Sequence, residues 1–398
     1  MHDQAPVLIL GLFYGALGIA RSLGKRGVAV YGIDTEKKPV AAYSKYIHRL
    51  HAPKKDEKLR DFLVNFSKQF KKKPVLYVTG DTYILFILKY QKLLSKYFFY
   101  PDHFETVQKL VSKVGTARLF NDLKINSPST RVIKRNTQSL PQGFKSRFPA
   151  ILKPDYHHVW ESEQDIRTYI GPGLRVKYLR DLFELQETVP KLSPFGDMVL
   201  QEFVPGPSEN CFYYIGYRNK NKGIVASFVA RKMRTLPDTM GSETMLQSVW
   251  MPDLLRAGDQ LLDCLDYVGH AGIDFKYSED DNSYKVIEIN CRFGINDAFM
   301  ADYGIDLPYV YYSDLQGIDI LPERDYAEGI AWYDFERDLD WIREYRKKHS
   351  HNVFLFLFQL ARGYHAYAYF DPKDPKPVLM QAKKMVARVL SGSLLKNQ

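Results

Sequence analysis

The segment Ala271-Gly-Ile-Asp-Phe-Lys-Tyr-Ser-Glu-Asp-Asp-Asn-Ser-Tyr-Lys-Val-Ile-Glu-Ile-Asn290 holds two alternating runs joined by a polar turn, the pattern of a β-hairpin. If Phe275 faces Ile287 and Ile273 faces Ile289, one side of the hairpin is wholly apolar, and a one-residue slip would set those side chains against charged ones. That register puts Asp274 opposite Glu288, with Asn290 two residues farther along the same face. Opposed carboxylates repel unless something positive lies between them. Asp, Glu and Asn are hard oxygen donors and suit magnesium, above all magnesium carrying a nucleotide's phosphates. Arg292 continues the alternation, where a guanidinium can hold a phosphate in a fork. The same spacing also fits a hairpin whose polar face is simply wet.

Such a hairpin needs a scaffold, and the chain supplies elements of two kinds. Val7–Leu10, a helix-spaced stretch from Ala16 to Gly24, and Val28–Ile33 closing on Asp34 read as a βαβ unit. A helix over Glu57–Lys71, a strand over Val75–Val78 and a helix over Ile84–Leu94 continue the alternation, which implies a parallel sheet with helices on both faces. After Pro101 the pattern changes. Ala150-Ile-Leu-Lys153 is strand-like, one charged helix is expected between Gly171 and Pro194, and Met198–Val204, Cys211–Tyr217 and Gly223–Ala230 suggest an antiparallel sheet. From about Glu323 the chain reads as helical segments broken by Asp371-Pro-Lys-Asp-Pro-Lys-Pro377.

Bulk properties narrow the class. A chain of 398 residues, 45% apolar, exceeds one ordinary core. Its three cysteines form no CxxC pair, which argues against a disulfide framework or zinc ribbon and fits a reducing cytoplasm. The uncharged run Ala5–Ala20 has no basic flank, is broken by glycines and is too short to span a bilayer, as is Val353–Leu357. The formal charge of +10 is gathered in clusters such as Lys71-Lys-Lys73 at probable element ends. These read as solvated surface rather than a nucleic-acid face.

With Glu288-Ile-Asn290-Cys-Arg292 on the second strand, the hairpin resembles the ATP-grasp superfamily, whose signature is two acidic ligands on neighbouring strands, the second inside Glu-x-Asn-x-Arg. Other pieces are similar in order. Phe148-Pro-Ala-Ile-Leu-Lys153 resembles the strand whose lysine meets ATP phosphates, and Ser112-Lys113 the segment that supplies the other ATP-binding lysine. Val199-Leu-Gln201-Glu202-Phe203-Val204-Pro-Gly206 resembles the hinge whose backbone meets adenine, with Glu209 reaching the ribose. Ala230-Arg231-Lys232-Met-Arg234-Thr-Leu-Pro-Asp-Thr-Met-Gly241 is similar to a pattern of predicted carboxylate-amine ligases, a group that includes D-aspartate ligase. The resemblance runs from residue 7 to about 320. It departs in the loop Pro154-Asp-Tyr-His-His-Val-Trp160, which lacks phosphate-covering glycines, and at Cys291, where proline is usual.

The resemblance implies an α/β chain, α+β in its ATP-grasp part. A Rossmann-like domain over 1–105 would precede an ATP-grasp domain over 106–322, with a lid at about 129–197 and a helical extension over 323–398. It implies ATP with magnesium, or manganese, on Asp274, Glu288 and Asn290. The nucleotide would be bound by Lys113, Lys153, Gln201, Glu202, Phe203, Val204, Glu209 and Arg231, with Arg292, Lys232 and Arg234 catalytic. The implied reaction phosphorylates a carboxylate and passes the acyl group to an amine. A different acceptor, bicarbonate or a thiol, and a non-catalytic nucleotide-binding protein are the alternatives. Acceptor contacts are expected in Phe293-Gly-Ile-Asn-Asp297, and Tyr311 and Tyr312 are expected as exposed aromatics suited to a homodimer interface. The turn Gly11-Leu-Phe13-Tyr-Gly15-Ala16-Leu-Gly18 puts phenylalanine and alanine where a dinucleotide fingerprint needs glycine. Gly15 and Gly18 are therefore expected to serve a tight turn and helix–sheet packing, with the turn facing the acceptor substrate.

Overall fold

The computed structural model describes residues 4–34, 39–101, 103–140, 144–162, 166, 169–170, 176–239, 241–320, 322, 324–345 and 365–390. Gly171, Met240, Glu323 and the apolar run at 353–357, all used above, lie outside the described residues. The chain divides into two compact units. The first comprises Met1–His103, Pro207–Gly272 and Arg292–Gln398, and the second Phe104–Gly206 and Ile273–Cys291. The sequence-based division into three consecutive segments differs from this, because two stretches far apart in sequence rejoin the N-terminal part. The described residues 324–345 and 365–390 fall in the first unit.

The first unit begins with strands β1 (Val7–Leu10), β2 (Val30–Asp34), β3 (Ile47–His51) and β4 (Val75–Val78), a parallel sheet in the order β3-β2-β1-β4. All four residues of β1 are fully buried, as a strand covered on both faces requires. Covering helices run over Tyr14–Gly24, Asp56–Ser67 and Asp81–Tyr97. The second of these buries Leu59, Leu63 and Phe66, one helical face, and carries Asp56 and Glu57 in its first turn, where acids favour the helix dipole.

In the second unit β5 (Thr130–Ile133), β6 (Ala150–Pro154), β7 (Lys177–Leu179) and β8 (Met198–Glu202) form an antiparallel sheet in the order β5-β8-β6-β7. The helix Leu182–Leu192, capped by the Asp181 side chain, packs Leu185, Val189 and Leu192 into the same core. This is the charged helix the sequence implies. Strand β7, three residues long and opened by a lysine, gave no alternating signal.

Three further strands, β9 (Cys211–Asn219), β10 (Gly223–Leu236) and β11 (Ser242–Ser248), form an antiparallel meander in the first unit. Strand β10 runs six residues past the expected Ala230 and takes Arg231, Lys232 and Arg234 into the sheet. The hairpin follows as β12 (Gly269–Ser278) and β13 (Ser283–Asn290), hydrogen-bonded neighbours linked by four residues, a link that only an antiparallel return permits. The chain crosses from the first unit to the second within β12. Strands β14 (Ala331–Tyr333) and β15 (His365–Tyr367), three residues each, join the first unit's second sheet beside β11. Among the described residues, the helices Phe335–Tyr345 and Lys376–Leu390 make up most of the C-terminal part.

Tyr311 and Tyr312, expected at the surface, are 3% and 2% exposed. Their hydroxyls donate to the carbonyls of Leu76 and Ala5, both at 2.8 Å. Each ring buries its apolar body in the first unit's core and satisfies its polar tip with backbone, which removes both from any interface. No helix among the described residues is long and apolar enough to cross a membrane.

Candidate functional site

The sequence-derived residues fall into two groups, one in each unit. In the second unit Ile273, Phe275 and Ile289 are buried while Asp274, Glu288 and Asn290 are only partly so. The hairpin thus has an apolar face and an oxygen-bearing face. Asn290 Nδ2 lies 3.4 Å from Asp274 Oδ2. Lys113 Nζ lies 3.1 Å from Glu288 Oε1. A cleft of about 740 Å³ is lined by Lys113, Lys153, Gln201, Ile287 and Glu288, with Ser127–Val132 along one wall.

Two devices place the lysines. Lys113 opens the helix Lys113–Asp122, whose cap Ser112 accepts from Gly115 N–H at 2.9 Å. Asp155, two residues after Lys153, grips that start: its Oδ1 accepts from Ser112 Oγ at 2.6 Å and Val114 N–H at 2.9 Å, and its carbonyl accepts from Lys113 N–H at 3.1 Å. The loop after Lys153 therefore locks one expected phosphate lysine to the strand of the other. No local spacing marks Asp155, since its partners lie some forty residues earlier in the chain. Lys153 Nζ donates to Gln201 Oε1 at 2.7 Å. Its pKa is pushed down to about 8, first by burial and then by Lys113, against Glu288 and Asp274.

The expected hinge leaves strand geometry after Glu202. The amides of Glu202 and Phe203 donate to Ser129 and Pro149 carbonyls at 2.9 and 3.0 Å. Those two N–H groups are spent within the unit, which leaves the carbonyl side and Val204 for the adenine reading. The Glu202 carboxylate meets Arg147 at 3.1 Å.

In the first unit Arg231, Lys232 and Arg234 occupy β10, with a register shift between Lys232 and Arg234 that re-aims the strand. Arg231 Nε donates to the carbonyl of Glu209 at 2.6 Å, in the single turn Ser208–Asn210. Lys232 pairs with Glu243 of β11 at 3.0 Å. Burial raises the Glu243 pKa, but Lys232 and Arg337 outweigh it and hold the carboxyl below its usual range. Arg234, expected as catalytic, is bidentate to buried Asp338 through Nε and Nη2 at 2.8 and 2.9 Å. Thr244 donates to the same carboxylate at 2.7 Å. The Nε/Nη2 edge of Arg234 is thus spent on a buried carboxylate, a pairing that serves structure whatever else the residue does. Arg292 Nε donates to Asp81 Oδ1 at 2.6 Å, at the start of the helix after β4, so its expected phosphate fork is shared with an acid.

The segment after Arg292, where acceptor contacts are expected, is held by His270 and Glu243, which the sequence did not single out. His270 Nε2 lies 2.6 Å from Asp297 Oδ2, and its ring stacks on Phe293 with centroids 3.9 Å apart. Asn296 Nδ2 donates to Glu243 Oε1 at 2.8 Å. Gly15 and Gly18 pack against this segment, correcting the expectation that they pack the helix on the sheet. A Cβ at Gly15 would lie 2.5 Å from the Gly294 carbonyl oxygen, and one at Gly18 would overlap Ala298 Cβ. Phe13 beside them is 48% exposed. A solitary histidine and an aspartate carry no spacing signal, so only adjacency to the Glu-x-Asn-x-Arg motif pointed here.

No protein-family model matches the sequence. The chain is 22% identical over 322 residues to a D-aspartate ligase of Enterococcus faecium, covering 77% of this chain and 75% of that protein. Among solved structures, L-amino acid ligase from Bacillus licheniformis superposes with a TM-score of 0.58 at 15% identity, over 80% of this chain and 78% of that one. N5-carboxyaminoimidazole synthetase from Staphylococcus aureus, complexed with ADP, gives 0.65 at 15% identity over 88% and 87%. The chain has the ATP-grasp fold and is a homologue of a D-aspartate ligase.

Proposed function

We propose that the protein is an ATP-dependent ligase that phosphorylates a substrate carboxylate and joins the acyl group to an amine, releasing ADP and phosphate. The observation that carries this is the second unit's cleft, where Lys113, Lys153, Gln201 and Glu288 gather from four distant stretches of sequence, with Asp274 and Asn290 paired on the same hairpin as Glu288. Lys113 pairs with Glu288, Lys153 with Gln201, and Asn290 with Asp274. The name of the homologue and the amino acid ligase among the similar structures support the same chemistry.

Asp274, Glu288 and Asn290 present hard oxygens of the kind magnesium or manganese takes. When bound there, the metal neutralises phosphate charge. Lys113 and Lys153 bind phosphate oxygens, and Val204 with the neighbouring carbonyls offers an edge to adenine. Lys232 and Arg292 would stabilise charge on the transferred phosphoryl, each in exchange for the acid it now faces. Arg231, tied to Glu209, orients the turn expected at the ribose. No enzyme nucleophile is needed, because positioning and charge stabilisation suffice for this transfer. Without a membrane-spanning helix among the described residues, a cytoplasmic enzyme of small molecules is the setting that fits.

The test is Glu288→Gln, assayed as ADP release dependent on a carboxylate and an amine supplied in pairs. A fall of 100-fold or more in turnover, on the order expected for one lost electrostatic group, supports the assignment. Undiminished turnover sinks it. ADP binding with no release for any pair would favour the non-catalytic alternative, for which the glycine-poor loop after Lys153 speaks.

A further inference from the structure

We propose that Asp155 is the positioning residue of the phosphate site: its carboxylate holds the first turn of the helix Lys113–Asp122 to the end of the strand that carries Lys153, so that one residue sets the place of both lysines. This rests on the reading of Lys113 and Lys153 as ligands of nucleotide phosphates, and it names what stands in for the glycines missing after Lys153.

A helix leaves its first N–H groups without intrahelical acceptors. In Lys113–Asp122 the first three are all taken. Lys113 N–H donates to the Asp155 carbonyl at 3.1 Å, Val114 N–H to Asp155 Oδ1 at 2.9 Å, and Gly115 N–H to Ser112 Oγ at 2.9 Å. Ser112 Oγ donates in turn to Asp155 Oδ1 at 2.6 Å. A helix start of the kind that often binds phosphate is therefore already filled by a carboxylate, and none of these three amides is left for a nucleotide. What this end offers a phosphate is the Lys113 side chain.

Asp155 is fixed from its other side as well. Its N–H donates to the Asp197 carbonyl at 3.0 Å, and Asp197 stands just before β8, which pairs Met198 with Pro154 and carries Gln201. The Asp197 carboxylate is itself held by Lys134 and by Arg135 N–H, both at 2.8 Å. A glycine-rich loop lends its own amides to phosphates. Here the amide and the carbonyl of Asp155 are both spent inside the unit. Binding then falls to side chains, whose placement has to be built in beforehand by the groups behind them.

The two lysines share one space. Both line the cleft of about 740 Å³, and after burial the Lys113 charge is the next cause of the depressed Lys153 pKa. Like charges repel, so a tether between the two backbones is needed to keep the ammoniums on one ligand. Asp155 supplies it, two residues beyond Lys153 in the chain and hydrogen-bonded to the Lys113 amide. Both side-chain bonds fall on the same oxygen, Oδ1. The role therefore needs an acceptor at that place rather than a charge, and an amide oxygen also accepts two donors.

The test is calorimetric titration of the full chain with ADP. Asp155→Ala keeps both lysines and should weaken ADP on the order of tenfold, toward the affinity of Lys113→Met and no lower. Asp155→Asn removes the charge but keeps Oδ1, and should bind within about twofold of wild type. In a Lys113→Met background Asp155→Ala should cost nothing further, because it acts through that lysine. Wild-type affinity in Asp155→Ala overturns the proposal. Equal losses in Asp155→Asn and Asp155→Ala overturn it too, since the charge would then be what matters. So does a multiplicative loss in Lys113→Met/Asp155→Ala, the sign of a general loosening of the unit. Should Asp155→Ala not fold in a denaturant titration, Ser112→Ala removes one donor to Oδ1 and is read the same way: a loss of about threefold or more is expected, and unchanged affinity overturns the proposal. If wild-type protein binds no ADP, the nucleotide reading fails first and the proposal falls with it.

Discussion

Lys113 Nζ lies 3.1 Å from Glu288 Oε1, although 175 residues separate the two in sequence. In the proposed reaction the carboxylate oxygen is offered to magnesium and the ammonium to a phosphate, so each now satisfies the other in place of its ligand. Lys113→Met should therefore move two affinities in opposite directions. Magnesium alone, titrated calorimetrically, should bind several-fold more tightly once Glu288 has lost its competitor. ADP should bind at least tenfold more weakly, about 1.4 kcal/mol. Loss of both affinities would mean that Lys113 merely holds Glu288 in place.

Lys153 gives a pH dependence with a definite sign. Its pKa falls from 10.5 to about 8, chiefly through burial and secondarily through Lys113. The folded state thus disfavours the ammonium: the full penalty acts below about pH 8 and is relieved as pH rises from about 8 toward the unfolded value of 10.5. Binding runs the other way, since phosphate needs the cation. ADP affinity should decline above about pH 8. Near pH 8.5, binding should take up protons, because phosphate oxygens draw the pKa back up. Titration in two buffers of different ionisation enthalpy counts those protons. The uptake should vanish in Lys153→Met, and its persistence there would assign the effect to another group.

Arg234 and Asp338 form a fork with side chains 7% and 0% exposed. Burial raises the Asp338 pKa, and Arg234 opposes that rise. Removing one partner of a buried pair strands the other and costs about 3–5 kcal/mol. Asp338→Asn should lower stability by that order in a denaturant titration, and the double variant Arg234→Met/Asp338→Leu by less than the sum of the singles. A direct role for Arg234 in phosphoryl transfer would show instead as lost turnover at unchanged stability.

The hairpin with Asp274, Glu288 and Asn290 was legible because alternation, a polar turn and a spaced motif fall in one stretch of twenty residues. So was the first parallel sheet, whose uncharged β1 can only be a strand buried on both faces. Asp155, Glu243 and His270 were not, because each acts through a partner on another element and no local spacing records that pairing. Arg234 shows the converse. A basic tripeptide reads as one electrostatic group, yet the strand and its bulge send Lys232 to Glu243 and Arg234 to Asp338. Tyr311 and Tyr312 mislead for a similar reason: the helix that carries them buries both, and backbone carbonyls more than 200 residues away satisfy their hydroxyls.

Gly18 tests whether the glycines beyond β1 exist for close packing. In the helix Tyr14–Gly24 an alanine is ordinarily favoured over glycine by about 1 kcal/mol. Here its Cβ would overlap Ala298 Cβ, and overpacking of this kind costs about 1–3 kcal/mol. Steric cost should therefore outweigh propensity, and Gly18→Ala should destabilise. Ala298→Gly removes the opposing methyl, so the double variant should recover most of the loss and express the helix gain. A coupling of about 1 kcal/mol or more between the two positions, measured by a double-mutant cycle in denaturant, is the expected result. Additivity would show that the segment after Arg292 yields to a side chain at position 18, and that a tight turn rather than contact with Ala298 demands the glycine.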